Sequence, residues 1–253
     1  MSILENSSLN GLTVHVAASR LAMGTQAATA IANEIRTCLQ RQHGVRIVFA
    51  AAPSQAEMLA ALRKESDIDW TRVTAFHMDE YIGLSPNAPQ RFGNWLRHTI
   101  FDHLPFAAVH LMNPDNDPAR SAVEYAEKLN EAPIDIVCCG IGVNGHLAFN
   151  DPPADFDDPL TVKIVHLDDT CRRQQVDDRC FATLDEVPKH ALTMTIPALL
   201  AARAIFCTVP GSAKKEAVHH ALLGSIDPAC PASALRRHLH CRIYLDVDSA
   251  SGL

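Results

Sequence analysis

The sequence has few of the features that mark a membrane, secreted or nucleic-acid-binding protein. No run approaches 18 consecutive apolar residues, the length that a membrane-spanning helix needs. The opening segment, MSILENSSLNG, has no basic stretch followed by an apolar one. Lys and Arg number 22 against 29 Asp and Glu, giving a net charge of -7 with no basic block. We therefore expect no membrane span, no secretion and no nucleic-acid partner.

Closely spaced cysteine pairs of the metal-binding or redox type are also absent. The eight cysteines include no C-x-x-C, so neither a zinc knuckle nor a thioredoxin-type pair is predicted. Three of them, Cys138, Cys139 and Cys207, lie inside apolar strand-like runs, where a reduced cysteine behaves as a small hydrophobic residue. This pattern indicates reduced thiols in a cytoplasmic protein.

Short apolar runs alternate with helical patterns along the whole chain. The strand candidates are 12–17, 46–51, 72–78, 109–112, 134–142, 162–167, 204–209 and 242–247. Patterns with a period of 3.6 residues cover 21–40, 54–65, 90–103, 118–130 and 213–223. The strands are almost continuously apolar, which is typical of parallel sheets covered on both faces. The order predicts a layered α/β fold with right-handed crossovers, and no linker or repeat divides residues 1–253, so we expect a single domain.

In folds of this kind, ligands bind beyond the carboxyl ends of the strands. Polar residues follow four predicted strands at that end: APSQ at 52–55, DEY at 79–81, NGHLAFND at 144–151 and PGSAKK at 210–215. These four segments are the candidates for a functional site.

Gly140, Gly142 and Gly145 spell G-x-G-x-x-G directly after a predicted strand, as in dinucleotide-binding turns. A dinucleotide site needs a helix to begin at the third glycine. Here HLAFNDPPADFDDP (146–159) follows, and its three prolines and four aspartates break a helix. We therefore expect the glycines to form a tight turn that presents His146 rather than to bind a nucleotide.

The polar residues at these strand ends allow both a chemical and a plain structural interpretation. His146, with Asn144 and Asp151 nearby in sequence, is either an oriented acid/base or an ordinary loop histidine. Asp79 and Glu80 point to opposite sides of an extended segment, so only one enters a given pocket, and a carboxylate here can also cap the next helix.

The segment PGSAKK (210–215) carries a similar ambiguity. Ser212, the backbone N–H groups of a helix start and Lys214 make a cradle for phosphate or carboxylate, or merely an ordinary helix N-terminus.

Two long motifs carry a family resemblance. FHMDEYIGL (76–84) and GIGVNGHLAFNDP (140–152) closely resemble the paired motifs of glucosamine-6-phosphate deaminases, in a group that also contains 6-phosphogluconolactonases. Supporting segments follow in the family's order at 187–202, 209–218 and 233–238. The resemblance implies a three-layer α/β/α fold, with a modified Rossmann-like, mostly parallel sheet and no nucleotide. It also implies that no metal or other cofactor is needed.

The resemblance also implies roles for individual residues. Asp79 would be the base that moves a proton from C2 to C1 of the opened amino sugar, and His146 would open the pyranose ring. Asp151 stands where the family has a Glu that orients this histidine, and Asn144 replaces the family's usual Asp. An amide can orient an imidazole but cannot stabilise its charged form. Lys214 would bind the substrate phosphate.

The phosphate site departs from the family pattern in two places. The first phosphate loop is APSQAE (52–57) instead of a TGGTP-like sequence, so Ser54 and Gln55 are the expected donors. The phosphate-binding arginine of the family aligns near Arg179, although the segment is longer here and Arg172 and Arg173 remain alternatives.

The expected reaction converts a hexosamine 6-phosphate, glucosamine 6-phosphate first, to fructose 6-phosphate and ammonia. The enzyme is expected to be a hydrolase of amino-sugar metabolism in the cytoplasm. The alternatives are a 6-phosphogluconolactonase-type hydrolase, which would have little need of Asp79, and a non-catalytic sugar-phosphate sensor. A homo-oligomer is left open.

Overall fold

The computed structural model describes residues 7–9 and 12–253. Its strands are β1 Ser7–Leu9, β2 Leu12–Ala17, β3 Val45–Phe49, β4 Val73–His77, β5 Asp79–Tyr81, β6 Ala108–Val109, β7 Ile136–Cys139, β8 Val162–His166, β9 His190–Met194, β10 Ala204–Val209 and β11 Cys241–Asp246. Its helices are α1 Arg20–Arg41, α2 Ala56–Leu62, α3 Phe92–Thr99, α4 Pro118–Asn130, α5 Asp169–Asp177, α6 Ile196–Leu200 and α7 Lys215–Leu223.

Eight strands form the central sheet, in the order β1-β2-β11-β10-β7-β3-β4-β6. All neighbours in it are parallel except β1, which runs antiparallel to β2. Every residue of β10 is buried, because this central strand is covered on both faces. The predicted mostly parallel α/β fold is confirmed.

The apolar residues of the sheet divide between two cores, one on each face. Ile136 and Cys138 of β7 belong to one cluster, whereas Val137 and Cys139 belong to the other, as the alternation of side chains along a strand requires. Helices α1, α2 and α3 contribute to the first cluster, and α4, α6 and α7 contribute to the second. The two cores make the molecule a three-layer α/β/α structure.

Helix α1 shows how the sequence encodes one of these layers. Ser19 caps the helix by accepting a hydrogen bond from the backbone N–H of Ala22. Ala27, Ile31 and Ile35 recur at helical spacing and are completely buried against the sheet. Burial of each isoleucine stabilises the fold by about 2 kcal/mol.

A second sheet was not predicted. β5, β9 and β8 form a small antiparallel sheet in that order. The segment 162–167 is a strand, as predicted, but it does not belong to the parallel sheet. Only Val162 of β8 is buried, so this strand is not covered on both faces. β9 lies within 187–202, which the sequence marked as a family motif and not as a strand.

Several predicted elements are shorter in the structure, among them the strand predicted over 109–112, of which only Val109 belongs to a strand. The strand predicted over 134–142 spans only Ile136–Cys139, because Gly140 begins the turn that leads to the candidate site. The helix predicted over 90–103 ends at Thr99, and a separate single turn of 3₁₀ helix follows at Phe101–His103. In the part of the chain that the structure describes, no helix has the length and apolar character required to cross a membrane.

Candidate active site

A cleft of about 490 Å³ opens at the carboxyl ends of β3, β4, β7 and β10. This is the edge of the sheet where a parallel α/β fold places its ligands. The cleft brings together five residues predicted from the sequence: Ser54, Gln55, Asp79, His146 and Lys214. It also contains four that the sequence did not single out: Phe92, Phe149, Gln174 and Gln175.

Asp79 and Glu80 separate to opposite sides of β5, as their adjacency in an extended strand predicts. Asp79 lines the cleft. The carboxylate of Glu80 instead accepts hydrogen bonds from the backbone N–H groups of Phe92 and Gly93, 3.0 and 2.9 Å away, at the start of α3. The two acids therefore have different roles: Asp79 faces the cleft, and Glu80 holds the start of a helix.

The surroundings of Asp79 favour its protonated form and so make its carboxylate a strong base. The residue is 6% exposed, and Met78, Phe92 and Phe149 supply apolar walls to the same cleft. Burial raises the pKa of Asp79 well above its ordinary value, and the nearby charge of Glu80 raises it further. A carboxyl group of this kind can take a proton from weakly acidic carbon.

Gly142 provides the space that the imidazole of His146 occupies. A Cβ atom at position 142 would lie 2.1–2.3 Å from three atoms of the ring, so any larger residue would displace the imidazole. The N–H of Gly142 donates to the carbonyl of His146 over 3.0 Å, and Gly145 adopts φ +83° within the turn. The glycine motif therefore builds a tight turn that seats the histidine, as predicted from the sequence.

Hydrogen bonds fix the orientation of the His146 ring. Its Nδ1 lies 2.7 Å from Oδ1 of Asn144, and the amide Nδ2 of Asn144 donates to Oδ1 of Asp151 over 3.0 Å. Since Oδ1 of Asn144 can only accept, Nδ1 of His146 carries the hydrogen. The other ring nitrogen, Nε2, is therefore unprotonated in the neutral ring and free to act as a base.

Asp151 supplies the negative charge of this network. Its Oδ1 lies 3.4 Å from Nδ1 of His146, and its Oδ2 accepts the backbone N–H of Asp168 over 3.1 Å. Burial acts to raise the pKa of Asp151, but the interactions with His146, Asn144 and the Asp168 amide outweigh it and hold the pKa below its ordinary value. Asp151 is therefore ionised at neutral pH and can stabilise a protonated imidazole.

The loop after β3 forms one end of the cleft. Gln55 is almost completely buried, and its side-chain amide is held at the end of β10: Oε1 accepts from the hydroxyl of Thr208 over 2.7 Å, and Nε2 donates to the Thr208 carbonyl over 3.2 Å. Nε2 of Gln55 also lies 3.2 Å from Oγ of Ser54. Gln55 thus holds the loop in place. The Ser54 hydroxyl accepts the hydrogen bond from Gln55, so its own hydrogen is available to donate to a ligand.

Lys214 lies opposite this loop, in the turn that precedes α7, and is 7% exposed. Burial lowers the pKa of its amino group to about 8, although Asp178 and Cys171 act in the other direction. An anion in the cleft would favour the charged amine, so Lys214 is suited to hold a phosphate.

The three candidate arginines occupy different environments. Arg172 is buried, donates to the carbonyls of Leu184 and Val187, and pairs with Asp169, so its guanidinium is occupied within the fold. Arg173 is exposed on α5.

Arg179, with φ +61°, is exposed and lines a depression of about 760 Å³ next to the cleft. The two cavities share Ala51, Ala52 and Phe92. Of the three candidates, Arg179 is therefore the one that lines a cavity adjoining the cleft.

The chain resembles known proteins over most of its length. A family model described as glucosamine-6-phosphate isomerases/6-phosphogluconolactonase matches residues 18–243. The chain belongs to this family. It is 36% identical over 208 residues to a glucosamine-6-phosphate deaminase of Listeria welshimeri, covering 82% of this chain and 87% of that protein. It is 34% identical over 204 residues to one of Bacillus thuringiensis, covering 80% and 76%.

Solved structures place the chain on the deaminase side of the glucosamine-6-phosphate isomerase/6-phosphogluconolactonase family. A monomeric glucosamine-6-phosphate deaminase superposes with a TM-score of 0.87 at 26% identity, over 95% of this chain and 99% of that one. The 6-phosphogluconolactonase of Trypanosoma brucei superposes with a TM-score of 0.77 at 19% identity, over 96% and 98%, and so shares the fold alone. The expectation of a hydrolase is therefore wrong for the main activity, because hydrolysis belongs to the lactonases and the closer relatives are deaminases.

Helix α5 also contributes to the cleft, which was not predicted from the sequence. Asp168 caps α5 by accepting from the N–H groups of Thr170 and Cys171, a signal that could have located the helix. Gln174 accepts a hydrogen bond from the N–H of Val143 over 2.9 Å, which ties the helix to the glycine turn. Gln175, also buried, lines the cleft beside it.

Three potential metal ligands lie together beside the cleft, and they were not predicted from the sequence either. His146, Asp151 and Cys171 place one nitrogen, one oxygen and one sulfur within 4.8 Å of one another. Cys171 is completely buried, and burial, followed by the nearby carboxylates of Asp151, Asp79 and Asp168, raises the pKa of its thiol. The thiol also hydrogen-bonds Asp151. No C-x-x-C could reveal this set, because its members come from two separate segments of the chain.

Proposed function

We propose that this protein converts glucosamine 6-phosphate and water to fructose 6-phosphate and ammonia, with residues 1–253 acting as one domain. The observation that carries this proposal is the presence of Asp79 and His146 in one cleft. Asp79 is a buried carboxyl with a raised pKa, and His146 is an oriented imidazole with an available Nε2. Isomerisation of an amino sugar needs both a carbon base and a group that opens the ring.

The charged groups of the cleft define how the substrate binds. Lys214 and the loop that carries Ser54 form the end suited to phosphate, with Arg179 at its outer margin. Binding of the phosphate there holds the sugar carbons against the catalytic groups, and this remote binding energy lowers the barrier at C1 and C2. The amide of Gln175 lies in the cleft to accept or donate a hydrogen bond to a sugar hydroxyl.

His146 opens the pyranose ring in the first step. Its Nε2 accepts the proton of the C1 hydroxyl and delivers a proton to the ring oxygen as the C1–O5 bond breaks, so the ring becomes an aldehyde without net proton transfer. Asp151 stabilises the transient imidazolium from 3.4 Å. Asn144 holds the ring in the tautomer that this step needs.

Asp79 carries out the isomerisation. Its carboxylate removes the proton from C2, which the neighbouring aldehyde makes acidic, and returns a proton to C1. The C1 oxygen gains a proton and the amine loses one, through solvent, so that C1 becomes a hydroxymethyl group and the nitrogen-bearing C2 becomes an imine. Water then adds to C2 and ammonia leaves, so the products are fructose 6-phosphate and ammonia. The apolar walls formed by Phe92 and Phe149 limit the hydration of the Asp79 carboxylate and so strengthen it as a base.

Two other functions remain as alternatives to test. A lactonase would need His146 to activate water but has little use for Asp79, whose burial in the cleft favours the deaminase. A sugar-phosphate sensor would bind the substrate without turnover.

Proton NMR of the protein with glucosamine 6-phosphate in heavy water distinguishes the three. Fructose 6-phosphate with ammonia, and deuterium at C1 from solvent exchange on Asp79, is the expected result. Hydrolysis of 6-phosphogluconolactone without deamination would identify a lactonase, and binding without turnover of either compound would identify a sensor.

Assembly, location and the epimer used are separate parts of the proposal. We infer a cytoplasmic enzyme of amino-sugar metabolism that requires no nucleic acid, membrane or cofactor. The related structure at 26% identity is of a monomeric enzyme, and light scattering of the purified protein decides whether this chain forms a homo-oligomer. A parallel assay with galactosamine 6-phosphate decides the epimer.

A further inference from the structure

Cys171 is a buried thiol that the deaminase mechanism does not use, and it lies beside two residues that the mechanism does use. Cys171 lies in the first turn of α5 and is completely buried. Its Sγ, a ring nitrogen of His146 and a carboxylate oxygen of Asp151 lie within 4.8 Å of one another. Nδ1 of His146 and Oδ1 of Asp151 are separated by 3.4 Å.

This geometry is close to that of a tetrahedral zinc site. Zinc binds histidine nitrogen, carboxylate oxygen and cysteine sulfur at about 2.0–2.3 Å, which separates neighbouring ligand atoms by roughly 3.3–3.8 Å. The nitrogen and oxygen already have this separation, and the sulfur needs a shift of at most about 1 Å to reach it. We propose that His146, Asp151 and Cys171 bind Zn²⁺, and that the bound ion inhibits the enzyme.

The position of the cluster provides a route of entry and a fourth ligand. His146 lines the cleft and its side chain is 10% exposed, so an ion reaches the cluster through the substrate cavity. The Asn144 amide, whose Oδ1 lies 2.7 Å from Nδ1 of His146, must turn aside to admit the ion, and a water molecule from the cleft completes the tetrahedron. On binding, the Cys171 thiol loses its proton to solvent, and the charge of the ion compensates the buried thiolate.

The inhibitory effect follows from the histidine tautomer and rests on the proposed function. Nδ1 of His146 carries the hydrogen in the metal-free protein and donates it to Asn144. A metal on Nδ1 moves that hydrogen to Nε2. The ring then has no free nitrogen to accept the proton of the C1 hydroxyl, so ring opening stops while Asp79 and Lys214 are untouched.

The binding test uses Co²⁺, a spectroscopic substitute for zinc, with the full chain and no substrate. We expect one equivalent of Co²⁺ to produce a thiolate-to-metal charge-transfer band in the near ultraviolet, which added Zn²⁺ abolishes. Cys171→Ser should lose the band and bind the metal at least about 100-fold more weakly. Cys38→Ser, in α1 outside the cleft, is the matched control and should keep it.

No band in the wild-type protein, or the same band in Cys171→Ser, would overturn the site. Circular dichroism checks that Cys171→Ser is folded. Asp151→Asn provides a second variant: it should bind the metal more weakly, but because it keeps Cys171 the charge-transfer band should still appear at a higher Co²⁺ concentration.

The activity test is separate from the binding test. Zn²⁺ should inhibit deamination by the wild-type protein, and a chelator should reverse the inhibition. Cys171→Ser, compared with its own metal-free rate, should need at least about 100-fold more Zn²⁺ for half inhibition. A Co²⁺ band in a protein that does not deaminate would leave the metal site standing and reject the proposed function. Full activity with Zn²⁺ bound would reject the inhibitory role.

Discussion

The side-chain amide of Asn144 donates a hydrogen bond to Asp151 over 3.0 Å. The same amide accepts from Nδ1 of His146 at 2.7 Å, so a neutral group links the imidazole to the only carboxylate in this network. The amide orients the ring, and Asp151 at 3.4 Å provides the charge. Orientation and charge are therefore divided between two residues, Asn144 and Asp151.

Asn144→Asp should lower the rate near pH 8 by about tenfold, because there both carboxylates, about 3 Å apart, are ionised, repel each other and leave no hydrogen-bond donor between them. The rate relative to wild type should recover as the pH falls toward 6, since one of the two carboxyl groups then carries a proton and a hydrogen bond to Asp151 can form again. A pH profile of kcat measures this effect. Asn144→Ala, which adds no charge, should show a constant ratio to wild type, and a faster Asn144→Asp enzyme at every pH would contradict the assignment.

Asp79→Asn should reduce kcat by about 10³-fold or more, because an amide cannot take the proton from C2. Phosphate binding should change little, since Lys214 and Ser54 are separate from this group. Isothermal titration with fructose 6-phosphate provides that control. Turnover within tenfold of wild type would remove Asp79 from the mechanism.

The affinity for substrate should weaken as the pH rises through about 8. Burial lowers the pKa of Lys214 to about 8, so its amine is charged below this pH and neutral above it, and only the charged form attracts phosphate. KM should therefore rise with pH, and binding near pH 8 should take up a proton, measured by calorimetry in two buffers of different ionisation enthalpy. Lys214→Met should raise KM by about 100-fold and abolish the proton uptake.

Gly142→Ala should reduce activity without unfolding the protein. Its Cβ would overlap the His146 ring at 2.1–2.3 Å, so the imidazole must leave its place against Asn144. We expect a loss of about 10²-fold or more in kcat. Gly44→Ala is the matched control, because its Cβ would meet only one carbonyl oxygen, at 3.2 Å. Equal activities for the two variants would show that Gly142 does not seat the ring.

Glu80→Ala should affect stability more than chemistry. The carboxylate accepts the N–H groups of Phe92 and Gly93 and faces the buried Arg91, so its removal leaves buried donors without a partner. We expect a loss of about 3 kcal/mol in the free energy of unfolding. Urea denaturation measures this loss. Asp115→Ala is the control: it also removes a partner of Arg91 but leaves the N–H groups at the start of α3 with their acceptor, so it should lower the free energy of unfolding by less. A larger loss for Asp115→Ala would contradict this account.

The parallel core of the fold was readable from local sequence, but the second sheet was not. The runs that became β3, β4, β7 and β10 are almost entirely apolar, because a strand covered on both faces needs apolar side chains in every direction. β8 is also apolar in sequence, yet it pairs antiparallel with β9 and leaves Ile164 exposed. Which strand pairs with which is a contact between distant segments, and the local pattern does not encode it.

The sequence by itself identified Asp79 and His146 as candidate positions for the chemistry. Asp79 follows a buried strand, and the glycine turn presents His146. Both signals are local in the sequence, because the backbone constraints at strand ends and at glycines act over only a few residues. The tertiary structure alone decided how these groups work. It buried Asp79 enough to raise the pKa of its carboxyl, assigned Glu80 to α3, and brought Cys171 to Asp151. Burial and electrostatic coupling depend on every element packed around a group, and those elements come from distant parts of the chain.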